Sequence, residues 1–327
     1  MFTITIWSLI AIALLVRTRS DADLSEAERR TAAGSSSNPD VSTNMTSCFR
    51  SSFLERYPPE DLPLPRSRYR RYICQRRDTS TEQTYSTLFD IYDGIPIYSG
   101  YKIYRGEGLR IGTHTRCSAT WKTTPGIANQ GTDSLYSGSR AADIHRGHLN
   151  PCHINSFNKT FMKATFIYTN CVPQCGTSFN SGSWMAYEGR IASYTKDRCA
   201  NDTGGTMYLV TGQSDYRVRV RSTGALAQVP TPIQYYPSSS SRHRLVQPNS
   251  LWTAGCCVYR SRTSGLITYA ESIAVIGNND KNSSCTLTRA VHLWELEWLL
   301  VPHNATYPAD IFPGYSGCRN NSYSNYL

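Results

Sequence analysis

The sequence predicts a single α+β domain. Short runs of alternating apolar and polar residues suit strands, and two longer proline-free runs suit helices. Eleven cysteines behind an apolar leader add the expectation that disulfides stabilise the fold.

Phe2 to Val16 is almost wholly apolar, and Thr18-Arg19-Ser20 offers small residues for cleavage before Asp21. That is the pattern of a secretory signal peptide over residues 1–20, although no Lys or Arg precedes the apolar run. The alternative is a signal anchor, but a comfortable span needs roughly 20 apolar residues. Residues 21–47 are acidic at first, then rich in Ser, Thr, Ala and Asn, too poor in large apolar residues to order themselves. They read as a disordered linker or pro-segment. Residues 48–318 then form one domain, with the Pro- and Ser-rich stretch 230–241 as a surface loop, and residues 319–327 are a tail.

Within the domain, Ile95 to Tyr104 alternates as a strand, with Ile95, Ile97, Tyr101 and Ile103 on one face. Ala164–Thr169, Met207–Thr211 (ending at Gly212) and Ser272–Ile276 read as further strands. Asn180 to about Lys196 reads as a helix opened by an Asn cap. Thr288 to Val301 reads as a docking helix whose Val291, Trp294 and Trp298 face the core.

None of the cysteines forms a CxxC pair, and six Asn-x-Ser/Thr sequons begin at Asn44, Asn158, Asn201, Asn282, Asn304 and Asn320. Together with the leader they place the chain outside the cell, with no stable membrane association after the leader is removed. The cysteine number is odd, so at least one thiol is free or pairs with another chain, and the oligomeric state is open. Net charge is +10, and loss of Arg17 and Arg19 with the leader leaves +8, a balance that favours a polyanionic partner. Arg66, Arg68, Arg70, Arg71, Arg76 and Arg77 crowd one stretch with Tyr69 and Tyr72. Such a stretch either neutralises phosphates and stacks on bases or is a solvated loop.

Phosphodiester cleavage needs an activated water, neutralisation of the scissile phosphate and a stabilised leaving oxygen. His148, in Asp143-Ile144-His145-Arg146-Gly147-His148, suits the base, because an ordinary imidazole titrates near working pH. A hard divalent cation with few protein oxygens suits the rest. Asn180, Trp184 and Glu188 lie at i, i+4 and i+8, one stripe of a regular helix, with Glu188 about 12 Å beyond Asn180 along the axis. Asn180 can present its amide oxygen to a metal, Glu188 can hold the metal's waters, and Trp184 packs the helix. His145, His148, Cys152 and His153 also invite a zinc site, but their spacing fits no common finger and Cys152 suits a disulfide.

With these residues the chain resembles the DNA/RNA non-specific endonucleases of the ββα-metal class, most closely their secreted animal branch. The resemblance rests on His145-Arg146-Gly147-His148, then Thr169-Asn170-Cys171-Val172-Pro173-Gln174, then Asn180, Trp184 and Glu188. It extends through Ile73-Cys74-Gln75, the Ile95–Tyr101 strand, Val210-Thr211-Gly212 and Leu251 to Cys257. It implies a central, mainly antiparallel sheet flanked by helices. It also implies Mg²⁺-dependent hydrolysis of DNA and RNA through backbone contacts, with Mn²⁺ able to substitute, leaving 5′-phosphate ends. His148 would be the general base and Asn180 the direct metal ligand. Glu188 would order the metal's waters, Asn170 and Gln174 would support the site, and Arg146 would hold the phosphate region. Arg116 would stabilise the phosphate and leaving group. One departure stands out: the family's aspartate before Arg-Gly-His is His145 here, with Asp143 two residues back. A nuclease fold that lost catalysis and kept binding is the rival reading.

Overall fold

The computed structural model describes residues 38–76, 82–236, 244–282 and 284–321. The expected leader, most of the linker and Arg77 lie outside them. Ser35–Leu327 is one compact unit. The folded chain reaches back before Cys48: β1 (Val41–Ser42) pairs with β2 (Arg70–Arg76), burying Val41. At the other end the chain stays in the fold to Asn321, whose carbonyl accepts from the Ser272 N–H.

After β2 come β3 (Gln83–Asp90), β4 (Ile95–Ile103), β5 (Ile144–His148), β6 (Cys171–Cys175) and β7 (Thr206–Ser214). Next are β8 (Tyr216–Val220), β9 (Leu226–Pro230), β10 (Gln234–Tyr236) and β11 (Leu245–Gln247). The chain then runs through β12 (Ser250–Arg260), β13 (Ile267–Asn278) and β14 (Thr288–Val291). Eight of these strands form one sheet in the order β1-β2-β3-β4-β7-β12-β13-β14, every neighbour antiparallel. The sheet is covered on both faces, so β12 is buried along nearly its whole length rather than in alternation. Leu251, Cys257, Ile273 and Val275 join a core shared with β5, β6 and the Trp184–Ser193 helix. Trp252, Ala254, Cys256 and Ile276 join the opposite core with Phe49, Phe53, Leu293 and Leu296.

Several elements differ from expectation. Ala164–Thr169 is not a strand. The Lys159–Ala164 helix, capped by Asn158, ends there, and the strand is β6, five residues of unbroken burial. The expected 288–301 helix divides into β14 and a Leu293–Leu299 helix, because Thr288–Val291 pairs with β13. That rotates the helix so that Leu293, Leu296 and Leu299 face the core while Trp294 and Trp298 are exposed. The arginine stretch is divided: Arg66 and Arg68 are exposed, with Arg68 over the Tyr69 ring, while its other described members are held in the fold. Tyr69 and Tyr72 are buried, Arg71 is buried with its guanidinium donating to the Arg68 and Arg70 carbonyls, and Arg70 donates to Pro65 O.

Four disulfides join Cys48–Cys74, Cys117–Cys152, Cys199–Cys257 and Cys256–Cys318. Cys171, Cys175 and Cys285 are free, the last exposed. Among the described residues no helix is long and apolar enough to cross a membrane.

Candidate active site

β5 and β6 form a two-stranded antiparallel ribbon in which His148 lies opposite Cys171 and His145 opposite Gln174. Two strands followed by the Trp184–Ser193 helix make a ββα unit on one face of the large sheet. Side chains alternate along β5, so His148 and Arg146 share one face of the ribbon while His145 and Gly147 share the other.

His148 ends the strand. Trp121 packs against its ring at 4.7 Å and Phe166 meets it edge-on at 4.8 Å. The residue is half-buried, but Nε2 is shut off from solvent and has no hydrogen-bond partner. Burial lowers its pKa to about 4, because a charged imidazole is poorly tolerated there. His148 is therefore neutral at ordinary pH. Burial is the whole cause; His145, on the other face, plays no part in it.

The turn after His148 is held by Asn170. Its Oδ1 accepts from Ser99 Oγ (3.0 Å) and the Asn150 N–H (2.9 Å), and its Nδ2 donates to the Asn150 and Thr165 carbonyls. Fully buried and fully partnered, Asn170 acts by positioning. Gln174 is equally buried, yet neither of its amide atoms has a partner. Its side chain lies over Gly147, where an added Cβ would stand 2.0 Å from Gln174 Cδ. Gly147 is glycine for that reason.

Arg146 Nη2 pairs with Asp133 at 2.7 Å, and its Nε donates to Tyr168 Oη, which itself donates to Asp133. Asp133 and Tyr168, with Trp121 and Lys122, line an open cleft of about 550 Å³, and Trp121 also packs on His148. Arg116 is exposed, and its loop is tied close to His148: neighbouring Cys117 is bonded to Cys152, just past the His148 turn. That disulfide removes Cys152 from any zinc set, and no metal-ligating group of three His, Cys, Asp or Glu occurs among the described residues.

The 180–188 stripe is not one regular helix. Asn180 lies in a wider-wound turn, Gly176–Ser183, that breaks at Gly182, and Ser183, not Asn180, precedes the α-helix. Asn180 is half-buried and its amide bonds to no described residue. Glu188 is half-buried, and burial raises its carboxyl to about 8, partly opposed by Trp184. That indole Nε1 approaches the carboxyl but falls short of hydrogen-bond geometry. A free amide oxygen and a carboxyl without a cationic partner fit a hydrated divalent cation, whose charge would reverse the burial effect on Glu188.

His145 occupies the aspartate position of the resemblance. It packs over Gly176, where a Cβ would fall 2.3 Å from His145 Nε2, and that nitrogen lies 3.4 Å from Asp143 Oδ1. Asp143 stands just outside the strand in the left-handed region (φ 57°) and accepts from the Thr177 N–H. A carboxylate is thus present beside residue 145, but it serves the start of the 176–183 turn.

Sequence reasoning missed Trp121, Phe166 and Asn150. Asn150 is fully buried with an unpartnered Nδ2. Five of the eight unpartnered buried polar atoms among the described residues belong to His148, Asn150, Gln174 and Trp184. Such atoms are rare in folded proteins, and here they concentrate in and beside one ββα unit.

A family model described as DNA/RNA non-specific endonuclease matches residues 69–282, more than half of the chain and every candidate site residue. The chain belongs to the DNA/RNA non-specific endonuclease family. Among solved structures it is similar to EndoG in the EndoG/EndoGI complex. The two are 15% identical with a TM-score of 0.44, over 64% of this chain and 76% of that one. No curated protein matches it.

Proposed function

We propose that this protein is a secreted, sugar-non-specific endonuclease that hydrolyses DNA and RNA and leaves 5′-phosphate ends. The observation that carries the reading is His148, a neutral base with an unpartnered nitrogen at the end of β5, beside an open cleft. In this reading His148 takes the proton from the attacking water. Asn170 fixes the turn that holds His148, while Gln174 packs the ribbon behind it. Asn180 and Glu188 would hold Mg²⁺ or Mn²⁺ and its waters, and the ion would supply positive charge to the phosphate and leaving oxygen. Arg116 and Arg146 face the phosphate, Arg146 after exchanging Asp133 for it. Four disulfides and exposed sequon asparagines at 44, 201, 282, 304 and 320 support passage through an oxidising compartment.

Two observations favour a second reading, binding without catalysis: His148 Nε2 is enclosed, and His145 stands where the resemblance has a carboxylate. Plasmid nicking and RNA degradation, with Mg²⁺ and with EDTA, separate the two. Metal-dependent cutting of both substrates, lost in His148→Ala, is the expected result. Binding without cutting by the wild-type protein overturns the catalytic reading, and His145→Asp then tests whether that position silences it.

A further inference from the structure

Behind the aromatic wall of His148 lies a second groove of about 500 Å³. It is lined by Arg76, Lys122 and Lys163, with Ile73, Phe166 and Ile167 among its apolar residues. It shares Lys122 and Thr123 with the cleft beside Trp121, so the two depressions adjoin at that segment. Phe166 joins them physically: it lines the groove and also packs on His148 and on Trp121. The one acid among its lining residues, Asp40, is held by Arg76 at 2.7 Å. Lys122 is exposed, and Lys163 has no ion-pair partner among the described residues.

We infer that this groove holds the phosphodiester backbone of the substrate strand beyond the scissile phosphate. Lys122 and Lys163 contact successive phosphates, and the apolar lining takes sugar and base faces. The inference rests on the nuclease reading and assigns that site a direction for its substrate. Cations spaced along an apolar-lined track suit a single strand without sequence preference. A strand laid there passes Lys122 and enters the cleft lined by Trp121, whose ring packs on His148. The track is built from the Lys122–Ile167 bridge, the end of the Lys159–Ala164 helix and the end of β2 at Arg76; Arg70 and Arg71, folded onto nearby backbone carbonyls, take no part in it.

The test measures binding in EDTA, so that no strand is cut. Fluorescence anisotropy with 5′-labelled single-stranded DNA, and separately RNA, is followed across a KCl series for wild type, Lys122→Gln, Lys163→Gln and the double variant. Each lost phosphate contact flattens the salt slope by roughly 0.7 on a single strand, so the double variant should lose about 1.4. Arg262→Gln, an exposed cation in the β12–β13 turn, controls for net charge and should leave the slope unchanged. A double variant with wild-type slope, or an Arg262→Gln variant flattened equally, overturns the groove while the nuclease reading stands. A wild type that binds neither oligonucleotide overturns the nuclease reading and the groove with it. Loss on DNA alone, or on RNA alone, overturns recognition through the shared backbone.

Discussion

Replacing Trp121 by alanine should return His148 toward ordinary titration. The imidazole is held at about 4 rather than 6.5 by burial, a difference on the order of 3 kcal/mol between its two protonation states. Trp121 and Phe166 supply the aromatic surround, and Trp121 is the half-exposed member on the outer side. Removing it admits water to that side of the ring. About half of the penalty should be relieved, so His148 takes up a proton roughly tenfold more readily. The assay is an NMR titration of the histidine Cε1–H signals, with His148 assigned by its absence from a His148→Gln spectrum. The kcat/KM profile gives a second readout. A general base must be neutral, so activity rises with pH through its titration, and the acid limb should move up in the variant. Stability follows the same sign: the unfolded chain binds a proton below about 6.5 that the folded chain refuses until about 4, so stability falls as pH drops through that window. A wild-type His148 titrating near 6.5, or an unmoved signal in Trp121→Ala, would refute burial as the cause.

Glu188→Gln should stabilise the metal-free protein increasingly from about pH 4.5 to pH 8, because only the unfolded wild-type carboxyl ionises freely in that window, and the gain should level off at a value of order 5 kcal/mol. Melting curves with and without Mg²⁺ check this, because the cation should raise the wild-type Tm and leave the variant's unchanged. Gly147→Ala should cost about 2–3 kcal/mol by forcing Gln174 aside, and a Gln174→Ala background should recover most of it in urea titrations. Asn170→Ala should cost at least that much, since four hydrogen bonds are lost in a buried turn, and should lower kcat with it. Cys117→Ser with Cys152→Ser should lower stability by about 3–4 kcal/mol from loop closure, and kcat/KM should fall further than stability explains as Arg116 and Trp121 lose their anchor.

The α+β class and the mainly antiparallel sheet were legible in the chain, while the bounds of single elements were not. The candidate residues His148, Asn170, Gln174, Asn180 and Glu188 lie within one stretch of the sequence, but regular helical spacing did not describe the 180–188 segment, which breaks at Gly182. Helical periodicity could not choose between the 291-294-298 stripe and the 293-296-299 stripe, since both satisfy it. Pairing of Thr288–Val291 with β13 decided the matter. Ala164–Thr169 misled for a related reason: a short apolar run does not say whether it is buried as strand or as turn. The sheath around His148 joins residues 121, 148 and 166, and disulfide partners stand up to 62 positions apart. Neither leaves a local trace.

Cys256 and Cys257 are neighbours on β12, so their side chains leave opposite faces of the sheet. Cys257 is bonded to Cys199 in the layer that carries the ββα unit, and Cys256 to Cys318 in the layer behind. A strand buried on both faces has little alternation with which to specify its own alignment, and a one-residue slip would exchange the two faces. Here the same slip would also exchange the two thiols, sending each to the other's partner. The vicinal pair therefore records the alignment of the central strand in covalent form: an isomer with these two bridges swapped is a sheet one residue out of step.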